Sequence, residues 1–383
     1  MLNRIITAVD INARCQAYAV ILQMIDWSQA FDRQCHTLGI KSFIENGVRP
    51  SIIPVMISYF ENRSMKVKWK GCFSSVRKMN GGGAQGSLPG TLEYLSQNNS
   101  CGQFLSQQDR YKFIDDLSLL EIVNLINVGL ASYNFKMHIS DKIKSDHLYL
   151  PPMNIESQNN LNEIEQWTEN NKMKLNIKKS NYMIFNFTND HQFSTRLEIS
   201  GNPVEEVSNT RLLGVQIDSS LSWQSNTDLI VRKAYRRMIM LHKLYSFAVP
   251  VDDLVEIYIL YIRSILENSA VVWHSALTIG QELELERVQK VALRIILKDK
   301  YVTYGTALKL CSLQTLKDRR RQLCLTFARK CVKSGKNDDI FPRRKHVRNT
   351  RNPEKFTVTH ARTDRLKYSA VPYMQRLLNK YGC

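Results

Sequence analysis

The chain has 383 residues, of which 43% are hydrophobic, and its formal net charge is +18 at pH 7. This apolar content excludes wholesale disorder, and the length allows two or three domains with sizeable cores. No run of about 18 apolar residues occurs and the N-terminus lacks a secretory leader, so we expect a soluble intracellular protein of the cytoplasm and nucleus.

The first informative element is a continuous apolar run at residues 17–25, AYAVILQMI. Its length and composition predict a strand that is buried on both faces. Asp26 follows at once, which places a carboxylate at the end of the predicted strand. The chain continues as DWSQAFD, in which Phe31 and Asp32 close a turn before a predicted helix.

A glycine-rich segment, NGGGAQGSLPG, follows at residues 80–90. Its glycines permit backbone conformations closed to other residues and let a ligand approach the main chain. Gln85 and Ser87 offer polar groups there, although a flexible surface turn explains the composition equally well. Pro89 restricts the chain where a helix should begin.

The stretch YKFIDDLSLL at residues 111–120 places Asp115 and Asp116 side by side between apolar neighbours. If both are buried, two adjacent carboxylates cost several kcal/mol unless a cation neutralises them. A divalent metal that prefers oxygen ligands, such as Mg²⁺, suits this arrangement. The alternative is an ordinary Asp-Asp turn exposed to water.

Periodicity predicts the remaining elements. Residues 157–175 predict an amphipathic helix through Leu161, Ile164 and Trp167, and residues 182–187 an apolar strand. Residues 193–218 suggest two strands that close the sheet. Beyond Trp223 apolar residues recur at helical spacing. The predicted helices are 226–247, 251–268, 282–298 and 313–332, the last with Leu316, Leu323, Phe327 and Cys331 on its apolar stripe and arginines opposite.

Charge is distributed unevenly along the chain. Residues 281–383 contain 25 Lys and Arg against 9 Asp and Glu, while the first 280 residues are nearly neutral. Such a basic region favours contact with a phosphate backbone. Solvated surfaces or nuclear-import signals are the alternative interpretation. The eight cysteines form no C-x-x-C pair, so no zinc site is predicted.

Taken in order, five segments resemble the palm motifs of a reverse transcriptase, most closely that of a non-LTR (LINE-type) retrotransposon. They are DWSQAFD, GGGAQGS, FIDD, LNIKKS at 175–180 and RLLGVQID at 211–218. The resemblance implies an α+β fold: a right-hand polymerase palm, with an antiparallel sheet and packed helices, followed by an all-helical thumb and a basic C-terminal region.

The resemblance also implies a division into domains. Residues 1–14 correspond to a remnant of the fingers, 15–222 to the palm, 223–300 to the thumb, and 301–383 to a basic helical region that is partly disordered. In the family a longer fingers region precedes the first motif, and complete elements also encode an endonuclease. We therefore expect an N-terminally truncated chain.

By resemblance, Asp26, Asp115 and Asp116 are the catalytic carboxylates that bind two Mg²⁺ ions, with Mn²⁺ possible. Lys179 matches the catalytic lysine near the departing pyrophosphate. Further positions match nucleotide-binding and primer-grip residues of the family. The nucleotide-binding positions are Trp27 through its carbonyl, Phe31 as the ring that excludes a 2′-hydroxyl, and Gln85, Gly86 and Ser87; the primer grip is Leu213 and Gly214.

The function implied is RNA-directed DNA polymerisation, with an RNA template, a DNA primer and dNTPs as partners and no membrane. One alternative is a catalytically inactive truncated remnant that binds RNA or DNA through the thumb and the basic region. Another is an unrelated metal-dependent phosphoesterase built on the same carboxylates, for which no His or Glu cluster is present in support.

Overall fold

A computed structural model describes residues 1–11, 18–79, 81–83, 86–103, 110–124, 148–149, 156–187, 193–344 and 355–382. The chain divides into two compact units. The first unit comprises residues 17–207 together with Met1, and the second comprises residues 2–16 and 208–383.

The strands and helices are numbered in chain order. The strands are β1 (Tyr18–Ile25), β2 (Ser64–Met65), β3 (Lys68–Trp69), β4 (Cys72–Phe73), β5 (Arg77–Lys78), β6 (Arg110–Phe113), β7 (Asp116–Asn124), β8 (Leu148–Tyr149), β9 (Asn181–Asn186), β10 (Phe193–Ser194), β11 (Glu198–Ile199), β12 (Asn202–Pro203), β13 (Glu205–Glu206), β14 (Asn209–Leu212) and β15 (Val215–Asp218). The α-helices are α1 (Leu2–Ile11), α2 (His36–Glu45), α3 (Ile53–Phe60), α4 (Leu88–Asn98), α5 (Glu156–Asn170), α6 (Gln224–Ser246), α7 (Val251–Ile257), α8 (Ser264–Glu267), α9 (Ala270–Trp273), α10 (Ile279–Leu297), α11 (Tyr304–Leu310), α12 (Leu316–Ser334), α13 (Asp364–Lys367) and α14 (Ala370–Tyr381).

A five-stranded sheet forms the centre of the first unit, with the strand order β13-β9-β1-β7-β6. Its central strand, β1, pairs antiparallel with both β7 and β9. Strand β6 forms an antiparallel hairpin with β7, and β13 pairs parallel with β9 at the other edge. The predicted α+β class, with a largely antiparallel sheet, is confirmed.

The apolar sequence of β1 follows from its central position, since Ala19 to Leu22 are fully buried. Ile21 shares one core with Leu119 of β7, Tyr94 of α4 and Ile164 of α5. Burying each such side chain contributes about 1.5–3 kcal/mol. This core holds the sheet against its helices and fixes the end of β1, where Asp26 follows.

Helix α5 confirms the amphipathic prediction for this part of the chain. Leu161 and Ile164 are buried, while Trp167 is half-buried and packs edge-on against Trp27, with ring centroids 5.7 Å apart. The helix ends at Asn170, five residues before the predicted end. A turn follows in which Lys172 adopts a left-handed φ of 56°, which is incompatible with continued helix.

The second unit contains α1 and the β14–β15 hairpin, and its regular elements from residue 224 onward are helical within the described ranges. The predicted helices at 226–247 and 282–298 are confirmed as α6 and α10. The prediction for 251–268 is confirmed as nearly continuous helix, but a π-helical turn at Tyr258–Arg263 separates α7 from α8. No helix of the described residues combines the length and apolarity needed to cross a membrane.

Helix α12 corrects the predicted apolar stripe at 313–332. Leu316 is buried as predicted, but Phe327 is 44% exposed, and the other buried residues of the helix are Arg320, Cys324 and Ala328. The four buried residues lie at steps of four residues, so a single line along the helix faces the core. The prediction that the arginines lie opposite the stripe is wrong for Arg320, whose guanidinium lies 5.8 Å from the ring centroid of Trp273.

Candidate active site

Asp26 and Asp116 stand opposite each other at the same end of the sheet. The register of β1 and β7 pairs Ile25 with Leu117, so the next position on each strand carries one of these two aspartates. Asp115 is the second residue of the two-residue turn that joins β6 to β7. We call Asp26, Asp115 and Asp116 the acidic corner.

The backbone of the acidic corner is held in an unusual conformation. Ile114, the first residue of the turn, has a φ of 56°. A left-handed conformation is unfavourable for a β-branched residue and costs about 1–3 kcal/mol. The pairing of Phe113 with Asp116 closes this tight turn and projects Asp115 from its tip.

Asp26 is held in place from β9 and the segment before it. The backbone N–H of Asp26 donates to Ser180 Oγ at 3.1 Å, and Asn176 Nδ2 donates to Asp26 Oδ2 at 3.1 Å. The backbone N–H of Asn176 also donates to the Asp26 carbonyl, at 2.9 Å. Asn176 therefore orients the carboxylate and Ser180 holds the backbone of Asp26, and both residues lie in the LNIKKS motif.

The carboxylates of the acidic corner repel one another. The pKa of Asp116 is raised by partial desolvation and by the neighbouring charges of Asp115 and Asp26. Asp115 and Asp116 are exposed and Asp26 is half-buried, so of the two alternatives left open by the sequence the exposed turn is the one that forms. Because the corner is open, a cation can reach it from solvent.

The acidic corner fits a hard cation in the chemistry of its donors, since carboxylate oxygens suit Mg²⁺ and Mn²⁺. Within the described parts of the chain, however, no group of three or more His, Cys, Asp or Glu residues is arranged to hold a metal ion. A cation bound here would therefore have to draw the three carboxylates closer together.

The Trp27 backbone continues β1 past the aspartate. It forms an antiparallel bridge with Leu175, flanked by a bond from Ser28 N–H to the Lys174 carbonyl at 2.8 Å. The hydrogen bonds between the two segments are made by the residues on either side of Trp27. The Trp27 carbonyl therefore points away from Leu175. The indole of Trp27 is buried.

The glycine-rich segment packs on the turn that follows Asp26. Gly82 N–H donates to the Gln34 carbonyl and Gly83 N–H to the Phe31 carbonyl, each at 2.8 Å. A Cβ at Gly81 would lie 2.8 Å from the Gln34 carbonyl oxygen. The glycine at 81 is therefore required for close backbone approach, and this part of the segment is not a free surface turn.

The rest of the predicted nucleotide-binding segment leads into α4. Gly86 is exposed with a φ of 83°, and Ser87 Oγ caps α4 by accepting from Gly90 N–H at 3.2 Å. Gln85 lies outside the described residues. Pro89 stands in the first turn of the helix, where a proline is tolerated because its missing N–H would have no intrahelical partner.

Phe31 is positioned by an aromatic partner. Its ring stacks on that of Tyr94 with centroids 4.6 Å apart and planes inclined by 28°. Tyr94 is buried, and its hydroxyl accepts from Asn98 Nδ2 at 3.0 Å. Burial and the neighbouring charge of Asp115 raise the pKa of Tyr94.

Lys179 lies at the same end of the sheet as the acidic corner. Met24 pairs with Asn181 across β1 and β9, so Lys179 precedes β9 at the level of Asp26. Its backbone N–H donates to the Asn176 carbonyl at 3.1 Å, and its side chain is exposed. Leu213 and Gly214 form the two-residue turn of the β14–β15 hairpin in the second unit, where Leu213 is 53% exposed.

No protein-family model matches the chain. The sequence is 24% identical over 254 residues to a probable RNA-directed DNA polymerase from transposon BS of Drosophila melanogaster. The match covers 64% of this chain and 24% of that protein, so the chain spans about a quarter of the length of this curated relative. Apo telomerase from Candida tropicalis is similar over 80% of this chain and 46% of its own, with 13% identity and a TM-score of 0.35.

The transposon-encoded relative confirms the resemblance to a reverse transcriptase that the sequence motifs indicated. The structural likeness to telomerase is too low to carry weight of its own. The site geometry adds an independent fact: the two motifs DWSQAFD and FIDD, widely separated in sequence, meet at one end of the sheet.

Proposed function

We propose that the chain is an RNA-directed DNA polymerase that joins a dNTP to a primer 3′-hydroxyl on an RNA template. The observation that carries this proposal is the β1–β7 register, which sets Asp26 opposite Asp116 with Asp115 adjacent. Two strands must pair in this one register to bring the three carboxylates to the same sheet end. Partial desolvation and the neighbouring carboxylates raise the pKa of Asp116, so a cation bound beside it would stabilise its charged form.

The three carboxylates would hold two Mg²⁺ ions, or Mn²⁺, with the Trp27 carbonyl as a further oxygen ligand. Bound there, the ions would neutralise charge on the attacking and leaving oxygens of an in-line phosphoryl transfer. Asn176 and Ser180 would keep Asp26 in position as the other carboxylates adjust.

In the proposed reaction the primer 3′-hydroxyl releases its proton to water and its oxygen bonds to the α-phosphorus of the dNTP. The bond from the α-phosphorus to the bridging oxygen breaks, and pyrophosphate leaves. The exposed ammonium of Lys179 would offset charge on the leaving group and could donate a proton to it. Its location beside Asp26 supports this role.

The incoming nucleotide would lie against Phe31 and the segment of Gln85, Gly86 and Ser87. The stack on Tyr94 holds the Phe31 ring, so a ribose 2′-hydroxyl directed at it would meet a side chain that cannot easily move. Leu213 and Gly214 are proposed to contact the primer, as the family resemblance implies.

Primer extension on an RNA template with Mg²⁺ and dNTPs tests this function. We expect Asp115→Asn/Asp116→Asn to lower incorporation by at least about a thousandfold, because charge at the reacting phosphate is no longer neutralised. The matched control is Asp252→Asn/Asp253→Asn, an exposed adjacent pair in the first turn of α7. Equal incorporation by both double variants would refute polymerase activity at this site.

A second candidate function is nucleic-acid binding without catalysis. It is favoured by one observation: the described residues contain no group already arranged to hold a metal. A chain of this kind would bind RNA or DNA through its basic residues, with affinity that falls steeply as salt rises. Salt-dependent binding without any Mg²⁺-dependent primer extension would support this candidate against the first.

A further inference from the structure

Residues 64–78 form a long hairpin in the first unit, here called the basic arm. Strand β2 pairs antiparallel with β5, and β3 with β4. The tip is Lys70–Gly71, with φ of 47° and 86°, as a tight two-residue hairpin turn requires. The Ser74 N–H donates to the Val67 carbonyl at 2.9 Å and joins the two pairs of strands into one ladder.

The basic arm is open to solvent along its whole length. Every residue from Ser64 to Lys78 is exposed, including Trp69 at 73% and Phe73 at 56%. A two-stranded hairpin with no third strand or helix against it is marginally stable in water. Aromatic residues are rarely left this open on a solvated hairpin without a partner.

Cations and aromatic rings alternate on the arm. Lys66 Nζ lies 4.3 Å and Lys68 Nζ 5.5 Å from the centroid of the Phe73 ring, and Lys70 Nζ lies 6.0 Å from that of Trp69. Between residues 62 and 79 the sequence has six Lys and Arg and no Asp or Glu. The surface is therefore complementary to a polyanion that also offers flat apolar faces.

A single nucleic-acid strand has that chemistry, since its phosphates pair with cations and its unpaired bases stack on aromatic rings. An anionic membrane surface would also attract the charge. The position of Lys70 argues against a membrane partner. Lys70 lies at the tip, beyond Trp69, and its charge would have to enter the lipid before the indole.

We propose that the basic arm binds an unpaired nucleic-acid strand, with Trp69 and Phe73 stacking on bases and the lysines contacting phosphates. The assignment deepens the proposed polymerase function by naming a strand-binding surface formed by residues other than those of the acidic corner. It does not need that function to be correct, because stacking requires neither dNTP nor metal.

Tryptophan fluorescence provides a readout specific to the arm. The sequence has five tryptophans, of which Trp27, Trp223 and Trp273 are buried and Trp167 is half-buried. Trp69 alone is fully open to a base. Titration with oligouridylate or oligothymidylate of about ten nucleotides, without dNTP or metal, should quench the red-shifted emission of an exposed indole.

Three variants separate the contributions. Trp69→Phe should abolish the quenching and keep most of the affinity, because phenylalanine still stacks. Trp69→Leu/Phe73→Leu should weaken binding about tenfold, since apolar area remains but stacking is lost. Lys66→Gln/Lys68→Gln should lower the slope of log affinity against log salt by about 1.4. Ile44→Ala and Lys41→Gln, exposed positions on α2, are the matched controls.

Quenching by either oligonucleotide that disappears in Trp69→Phe supports the proposal, and the stronger ligand tells whether RNA or DNA is preferred. Quenching that persists in Trp69→Phe, binding without quenching, or no binding would overturn it. So would a blue shift of Trp69 emission on phosphatidylserine vesicles without a response to oligonucleotide. Primer extension is measured separately, so an active chain with an unresponsive arm and an inactive chain with a responsive arm are distinguished.

Discussion

The acidic corner of the first unit and the Arg320–His274 pair of the second unit both bring groups of like charge together. Arg320 Nε donates to His274 Nδ1 at 3.3 Å, and both residues are buried. Burial and the charge of Arg320 lower the pKa of His274 to about 3, so the imidazole stays neutral at ordinary pH. In the acidic corner the carboxylates remain accessible to solvent. The pKa of Asp116 is raised because partial desolvation and the charges of Asp115 and Asp26 disfavour its charged form.

The difference shows how exposure separates a structural group from a candidate site. In the buried pair, repulsion between the two side chains is avoided because His274 is neutral and accepts a hydrogen bond from Arg320. In the acidic corner, a cation that arrives from solvent can reduce the repulsion between the carboxylates. The contributions of His274 and Asp116 to stability must also change in opposite directions as pH falls, since the pKa of His274 is lowered and that of Asp116 is raised.

The largest effect is expected at His274. Its pKa in the folded chain lies below the value of 6.5 for an exposed histidine, so the unfolded chain takes up a proton first as pH falls. Its contribution to stability should be lost between about pH 6.5 and pH 3, by about 5 kcal/mol. His274→Asn keeps an acceptor for Arg320 and should flatten this dependence in urea unfolding at several pH values. An unchanged pH profile would mean that folding does not lower the pKa of His274.

Glu93 sharpens the comparison because it is a buried carboxylate with no opening to solvent. Neither carboxylate oxygen has a hydrogen-bond partner within the described residues, and burial raises its pKa to about 7. Its protonated form favours folding, so stability should be lost as pH rises through about 7. Glu93→Gln should therefore stabilise the chain at pH 8 by about 3 kcal/mol and have little effect at pH 4.

Urea unfolding at pH 8 and pH 4 checks this expectation. The matched control is Glu45→Gln, an exposed residue of α2 paired with Lys41. Destabilisation by Glu93→Gln at pH 8 would show that the carboxylate has a partner and that burial alone does not set its pKa.

The smallest effect is expected at Phe31, beside the acidic corner. Phe31→Val removes the ring that stacks on Tyr94 and should open room for a 2′-hydroxyl. In primer extension the preference for dNTP over rNTP should fall about tenfold. Tyr94→Phe keeps the stack and should retain the preference. Equal discrimination by wild type and Phe31→Val would remove the proposed role.

Local pattern was sufficient to predict the elements that frame the corner. The apolar run of β1 and the helical spacing beyond Trp223 each specify a local structure, and both were confirmed. The sequence is compatible with the register that places Asp26 opposite Asp116 but does not specify it. The site roles of individual residues, from Lys179 to Gly214, stay predictions.

Long-range contacts account for what sequence could not provide. The bonds from Asn176 and Ser180 to Asp26 join residues about 150 positions apart. Arg320 was expected on a solvated face because arginine is rarely buried, yet the helical core provides Trp273 and His274 as neighbours. The basic arm was missed because its exposed aromatic residues lack the alternation of a half-buried strand.

Binding of Mn²⁺, followed by electron paramagnetic resonance in the presence of a dNTP, tests the acidic corner most directly. Mn²⁺ prefers the same oxygen ligands as Mg²⁺ and can be counted. We expect two ions per wild-type chain, loss of binding in Asp26→Asn, and wild-type binding in Asp252→Asn/Asp253→Asn. Equal Mn²⁺ binding by wild type and Asp26→Asn would contradict the claim that the three aspartates form one metal site.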